Sequence, residues 1–171
     1  MSAVYVAVCG PARATDEEAA IAEEVGRLLG RAGATLVCGG LGGVMDAAAR
    51  GAGAEGGTVI GILPGDDRRG ESPYLTVSIP TGMGEARNAL VVRSADALIA
   101  ISGEFGTLSE IALALKIGRP VVGLGTWQLA RGGEPVEAIQ VAESPSEAVA
   151  RALELARTRD HRSRGQGPSG G

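Results

Sequence analysis

Short unbroken apolar runs alternate along the chain with longer stretches in which apolar residues recur every three or four positions. Residues 4–9 (VYVAVC) form the first run, rich in β-branched side chains and stopped by Gly10-Pro11. Such a run predicts a strand covered on both faces. Thr15 and Glu18 then stand at capping-box spacing. Ala19, Ala22, Val25, Leu28 and Leu29 follow a helical period, and Gly33 ends it. Residues 34–38 predict a second strand, closed by GGLGG at 39–43. A small-residue helix over 44–54 and a strand over 58–63 follow. Pro64-Gly65, a polar turn-rich loop over 66–73 and a short strand over 75–79 come next. The pattern continues with a helix over 84–94, a strand over 96–101 and a helix to about residue 117. Strands over 120–124 and 138–141 precede Ser144-Pro145-Ser146-Glu147, a capped helix start with proline at its first position. That helix is expected to reach about residue 157.

Strands separated by helices predict parallel pairing, because parallel strands need crossovers, and crossovers are right-handed. The expected fold class is α/β: a doubly wound, Rossmann-like, mostly parallel sheet with helices on both faces. Residues 1–158 form a single nucleotide-binding domain on this reading. Residues 159–171 lack apolar periodicity and are expected to be a disordered tail. The single histidine, His161, lies in that tail and is a poor catalytic candidate.

Composition narrows the picture. A length of 171 residues suits one domain with a real core. Hydrophobic residues make up 44% and aromatics only 2%, so the core must be built from Ala, Val, Leu and Ile. The 28 glycines show no three-residue period, which excludes collagen. A formal charge of −4 disfavours a general nucleic-acid binder but leaves room for a local basic pocket. Cys9 and Cys38 each end an apolar run and form no C-x-x-C unit, so two buried thiols are expected. With one tail histidine besides, the chain offers no metal-ligand set, and no metal is expected. No apolar run reaches membrane-spanning length and no segment has the signal-peptide pattern. The expectation is a cytoplasmic protein without membrane or nucleic-acid partners.

In a doubly wound sheet, ligands sit at the carboxyl ends of the strands. Three loops bring candidate chemistry there. Gly10 marks the first. Gly39, Gly40, Gly42 and Gly43 form the second, where backbone N–H groups and a helix start favour an anion. It is no Walker A loop, since no Gly-Lys-Ser/Thr follows. The third is SGEFGTLSE, residues 102–110. Gly103 and Gly106 free its backbone, Thr107 offers a hydroxyl, and Glu110 falls one turn into the helix among apolar neighbours. Glu110 suits orienting a hydroxyl, acting as a base or stabilising positive charge; plain helix-start electrostatics is the simpler role. Upstream, Arg87 in GMGEARN can hold phosphate or carboxylate bidentately, or pair with Glu85. Arg93 lies about 120° away around the helix and is read as structural.

The GG-x-GG-x-M-like loop, the Arg-bearing helix and the G-x-G-T-x-x-E turn together resemble the LOG-like (possible lysine decarboxylase) superfamily, over about residues 3–155. The resemblance implies a site in which Gly103, Gly106, Thr107 and Glu110 match the hallmark P-G-G-x-G-T-x-x-E, and Arg87 its upstream arginine. Its cytokinin-activating members are phosphoribohydrolases that cleave the N-glycosidic bond of nucleoside 5′-monophosphates. For this chain, that implies Arg87 and Glu110 as catalytic residues. GMGEARN and the compact length look closer to the branch with molybdenum-cofactor carrier proteins, which bind a phosphorylated pterin without hydrolysing a nucleotide. No cofactor is required on this view, and the ligand is a phosphorylated small molecule, either a nucleotide or a molybdopterin-type compound. A nucleotide sensor is the third reading.

Two departures favour a carrier. The hallmark proline and second glycine are Ser102 and Glu104, and Asn88 stands where the hydrolases have lysine after the arginine. Two unit charges about 4 Å apart repel by about 1 kcal/mol in water and about 4 at an effective dielectric near 20. Glu104 is therefore expected to turn outward. The alternatives are an anion on the 39–43 loop or a ligand donor beside Glu104. Finally, Ile111–Leu115 are consecutively apolar, which together with the resemblance predicts a homodimer or higher homo-oligomer.

Overall fold

Burial on both faces forces the first strand into the middle of a sheet. The computed structural model describes residues 3–165. In β1 (Tyr5–Cys9), Val6 and Val8 point into one core, while Ala7 and Cys9 point into another on the opposite face. β5 (Ala97–Ile101) does the same, with Ala97, Ile99 and Ile101 on one side and Leu98 and Ala100 on the other. Between them in sequence come α1 (Asp16–Arg31), β2 (Thr35–Cys38), α2 (Val44–Ala54), β3 (Val59–Leu63) and β4 (Val77–Pro80). A 3₁₀ turn (Gly84–Arg87) and α3 (Asn88–Arg93) lead into β5. After it come α4 (Phe105–Lys116), β6 (Val121–Leu124), β7 (Leu129–Arg131), β8 (Glu134–Val136), β9 (Ile139–Val141) and α5 (Pro145–Gly165).

The main sheet has seven strands in the order β4-β3-β2-β1-β5-β6-β9, and every pair is parallel. The chain winds outward from β1 to β4, returns to β5, and winds outward again. The strand order therefore reverses between β1 and β5, where a doubly wound sheet opens a crevice. α1, α2 and α5 cover one face, and α3 and α4 the other. Among the described residues, no helix is long and apolar enough to cross a membrane.

Local rules explain the helix starts. Thr15 Oγ1 accepts from the Glu18 amide at 3.2 Å, and the Glu18 carboxylate accepts from the Thr15 amide at 2.8 Å, closing the capping box at α1. At α5, Ser144 Oγ accepts from the Glu147 amide at 3.2 Å.

Three expectations need correction. The helix expected over 84–94 is split. Gly84 is left-handed at φ 56°, and Ala86 N–H donates to Met83 O, so the backbone tightens into a 3₁₀ turn before α3 begins. β7 and β8 form a separate antiparallel hairpin that the sequence reading does not include. Its Gly132-Gly133 turn, with φ 60° and 88°, is a two-residue hairpin signal present in the sequence. α5 runs past the end expected near residue 157 and into the tail expected to be disordered, as far as Gly165. No proline or glycine lies between residues 146 and 164 to stop it. Residues 166–171 of that tail lie outside the described residues.

A core with almost no aromatics relies on close backbone approach. α1 and α2 meet through glycines. A methyl group added at Gly26 would lie 2.0 Å from the Ala48 carbonyl oxygen, and one at Gly51 would lie 2.0 Å from that of Glu23. Gly26→Ala is expected to force the helices apart and destabilise the fold by about 1–3 kcal/mol, read as a lowered thermal unfolding midpoint. An unchanged midpoint would show that the interface has slack that these distances deny.

Candidate functional site

The loops after β1, β2 and β5 converge at the strand-order reversal and enclose a cleft of about 370 Å³. Gly10 can pass this point only without a side chain, since a methyl group there would sit 2.6 Å from the Ile101 carbonyl oxygen. Gly39 is constrained differently. Its missing Cβ leaves room for the Arg87 guanidinium, whose Nη2 would otherwise be 2.7 Å from it. The 3₁₀ turn thus delivers Arg87 across the end of β2 and into the cleft.

Four polar side chains there are nine-tenths or more buried: Arg87 and Asn88 are 9% exposed, Thr107 3% and Glu110 7%. Arg87 Nη1 donates to Asn88 Oδ1. Asn88 Nδ2 donates to Ser109 Oγ at 3.3 Å, and Ser109 Oγ donates to Gly106 O at 2.6 Å. This relay ties Arg87 to the first turn of α4. Arg87 Nε is buried without a partner. Among the described residues Arg87 makes no ion pair within 4.0 Å, so it is not neutralised by Glu85 or Glu110. Burial lowers its pKa, opposed by the charges of Glu110, Cys38 and Glu85; a guanidinium nevertheless stays cationic.

Glu110 faces the same space. Burial pushes its carboxyl up to about 7, against the pull of Arg87 and a hydrogen bond from Cys9. The Cys9 thiol is itself driven well above its ordinary value by burial and by Glu110, so it stays protonated as a donor. Cys38 is pushed up to about 11, chiefly by burial. Cys9 and Cys38 are both free and buried, in the cores on opposite faces of the sheet.

The structure brings together Gly10, Gly39, Arg87, Asn88, Glu104, Gly106, Thr107 and Glu110 around the cleft. Gly40, Gly42, Gly43 and Gly103 do not line it. Gly43 instead allows the loops after β1 and β2 to touch: Val44 N–H donates to Pro11 O at 3.0 Å, so that helix-start amide is already used. Gly103 adopts φ 123°, and a methyl group on it would meet Thr107 at 2.6 Å. Gly106 is different. A methyl group there would meet nothing within 4 Å, and its φ is not positive. α4 starts at Glu104 with no side-chain cap.

Glu104 is exposed and stands on the rim of the cleft rather than in its floor. Its carbonyl accepts from Trp127 Nε1 at 3.3 Å. Ser102 is left-handed at φ 51°, a strained position for a side-chain-bearing residue. It is held by its N–H to Leu124 O at 2.9 Å and by Thr126 Oγ1 donating to its carbonyl. The Ser102 hydroxyl and the Thr15 amide hold the Glu18 carboxyl below its usual range.

Sequence reasoning missed Cys9 as the neighbour of Glu110, and Ser109 as the link between Asn88 and Gly106. Only its position at the end of β1 marked Cys9. Ser109, one residue before Glu110, carried no signal of its own.

Fold and cleft together define a Rossmann-like α/β protein with a cleft at the point where its strand order reverses. The sequence model of the SLOG cluster4 family matches residues 3–152, and the chain belongs to that family. An uncharacterized protein of Archaeoglobus fulgidus is 41% identical over 151 residues, 87% of this chain and 94% of that protein. The molybdenum cofactor binding protein of Rippkaea orientalis superposes with a TM-score of 0.79 at 32% identity, covering 94% of this chain and 99% of that one. The Moco carrier protein of Chlamydomonas reinhardtii gives 0.80 at 33% identity, covering 92% and 99%.

Glu110 should leave a pH signature on stability. Its folded pKa, about 7, lies above the ordinary 4.5. Its contribution is therefore fully present below about pH 4.5 and is lost as pH rises through about 7. Glu110→Gln cannot ionise, so the variant should gain stability over the parent as pH rises across that window. The gain should reach at most about 3 kcal/mol above pH 7 and vanish near pH 4. Parallel unfolding curves for the two proteins across this range would contradict the assignment.

Proposed function

We propose that the cleft binds a phosphorylated, nucleotide-like small molecule and that the chain works as a binding or carrier protein for a ligand of the molybdenum-cofactor type. The observation that carries this reading is Arg87: a buried cation with no ion pair among the described residues and an unpartnered Nε, facing a cleft at the uncapped start of α4. A buried charge left unpaired is costly, so it calls for an anion from outside the chain. Thr107 and the first-turn backbone beside Gly106 supply donors where a phosphate would gain from the helix start. The empty space over Gly106 lets a ligand approach that backbone. The cleft volume falls within the usual range for small-molecule sites. Residues Arg87, Gly106 and Thr107 would hold the phosphate, and the pterin would supply the metal-binding chemistry carried by such a ligand. The 32–33% identity to molybdenum-cofactor binding and carrier proteins over nearly their whole length supports the ligand class.

A hydrolase is the second reading, favoured by Glu110. A carboxyl near 7 is poised for general acid–base work at neutral pH. In that case, incubation with AMP should release adenine, and Glu110→Ala should abolish the release. No free base from a panel of purine monophosphates rejects this reading and leaves the carrier.

A homodimer or higher oligomer through the outer side of α4 belongs to the same proposal. Leu108, Leu113 and Leu115 are only half-buried there. Sedimentation measures the state directly.

For the carrier, native mass spectrometry of protein isolated from its host should show a phosphorylated ligand, and Arg87→Ala should lower its occupancy at least tenfold. Gly106→Ala should weaken binding while leaving the unfolding midpoint unchanged or raised, because alanine is the better helix former. Ligand-free protein that also shows no thermal shift with ribose 5-phosphate, purine monophosphates or phosphorylated pterins would sink the proposal.

A further inference from the structure

The Glu110 carboxylate is short of hydrogen-bond donors. It is buried and lines the cleft, and the Cys9 thiol that bears on its protonation is a weak donor. Arg87 stands outside ion-pair distance, and the Asn88 amide is committed to Arg87 and Ser109. An ionised carboxylate accepts through two oxygens with about four lone-pair sites. Among the described residues no N–H or O–H group donates to Glu110, so most of that capacity is left to the cleft it lines. Two parallel N–H groups satisfy a carboxylate best, as in its forked pairing with guanidinium.

Resting on the phosphate-binding reading of the cleft, we infer that Glu110 reads the donor edge of the ligand's ring. It selects a heterocycle with a ring N–H beside an exocyclic amine, as in pterins and guanine, over adenine. Guanine offers both donors in parallel. Hypoxanthine keeps the ring N–H and lacks the amine. Adenine places a ring lone pair where the N–H is needed, and that lone pair repels a carboxylate. Glu110 is thus a specificity residue on the same α4 turn that starts the phosphate seat.

Calorimetric titration of the whole protein with GMP, IMP, AMP and ribose 5-phosphate tests this. GMP should bind at least about tenfold tighter than IMP, since one hydrogen bond to a charged group separates them, and AMP should bind weakest. Glu110→Gln presents an amide N–H to the donor edge and should shrink the GMP-to-IMP ratio to less than about threefold. The charged and titratable groups around Glu110 are Arg87 from the 3₁₀ turn, Cys9 from β1, Cys38 from β2, and Glu85 and Glu104 at the rim. The GMP-to-IMP ratio in the parent protein should rise between about pH 5.5 and 8 as the carboxylate forms. Phosphate ionisation is common to both nucleotides and cancels. Equal binding of GMP, IMP and AMP by the parent, or a ratio that survives Glu110→Gln, overturns the inference. If ribose 5-phosphate binds and no base is preferred, only the ring-edge inference fails. If neither ribose 5-phosphate, nor any nucleotide, nor a phosphorylated pterin binds, the phosphate-binding reading fails with it.

Discussion

A cation and a carboxylate share one buried cleft without pairing, and the rest of the site is arranged around that fact. Arg87 and Glu110 influence each other's protonation, yet they stay beyond ion-pair distance. Closing the pair would relieve both charges at once. The relay from Arg87 through Asn88 and Ser109 to Gly106 prevents this by fixing the guanidinium to the α4 turn. The bare backbone of Gly39 gives the guanidinium its place, and the Cys9 thiol beside Glu110 opposes the rise of its pKa. A buried polar network left partly unsatisfied is costly to the free protein.

The sheet was legible because its strands are buried on both faces. Val6–Cys9 and Ala97–Ile101 read as continuous apolar runs for that reason, and continuous runs separated by helices leave few topologies. What escaped was local. Leu129–Arg131 and Glu134–Val136 are three residues each and mostly polar or exposed. They carry too little periodicity to be read as strands, and Gly132-Gly133 was their sole marker. The 84–94 segment is apolar at helical spacing, but spacing does not register that Gly84 turns left-handed and shortens the first turn. At the far end, α5 continues through a charged stretch because nothing in its backbone ends it. Absence of apolar periodicity predicts absence of a packed face, which is a different matter from absence of helix.

Within the site, the residues whose chemistry is visible in their type were legible: Arg87, Thr107 and Glu110 all reach the cleft. The glycines were harder to sort, since one letter covers three physical demands. Gly39 makes room for a side chain, Gly43 for a neighbouring loop, and Gly106 for open space. Only their surroundings in the folded chain separate these. Cys9 and Ser109 act through neighbours far away in sequence, 101 residues for the Cys9–Glu110 contact and 21 for Asn88–Ser109.

The departures from the hydrolase hallmark can be judged physically. Proline is locked near φ −65°, whereas Ser102 stands at φ 51°. The missing proline therefore reflects a different path of the backbone, supported from β6 and Thr126, and not a single exchanged side chain. Glu104 does not obstruct an anion, because on the rim it is solvated and its repulsion falls toward the smaller, aqueous value. Asn88 is the departure with the larger effect. In place of a second positive charge it fixes the first one, so the cleft holds one cation facing one buried carboxylate.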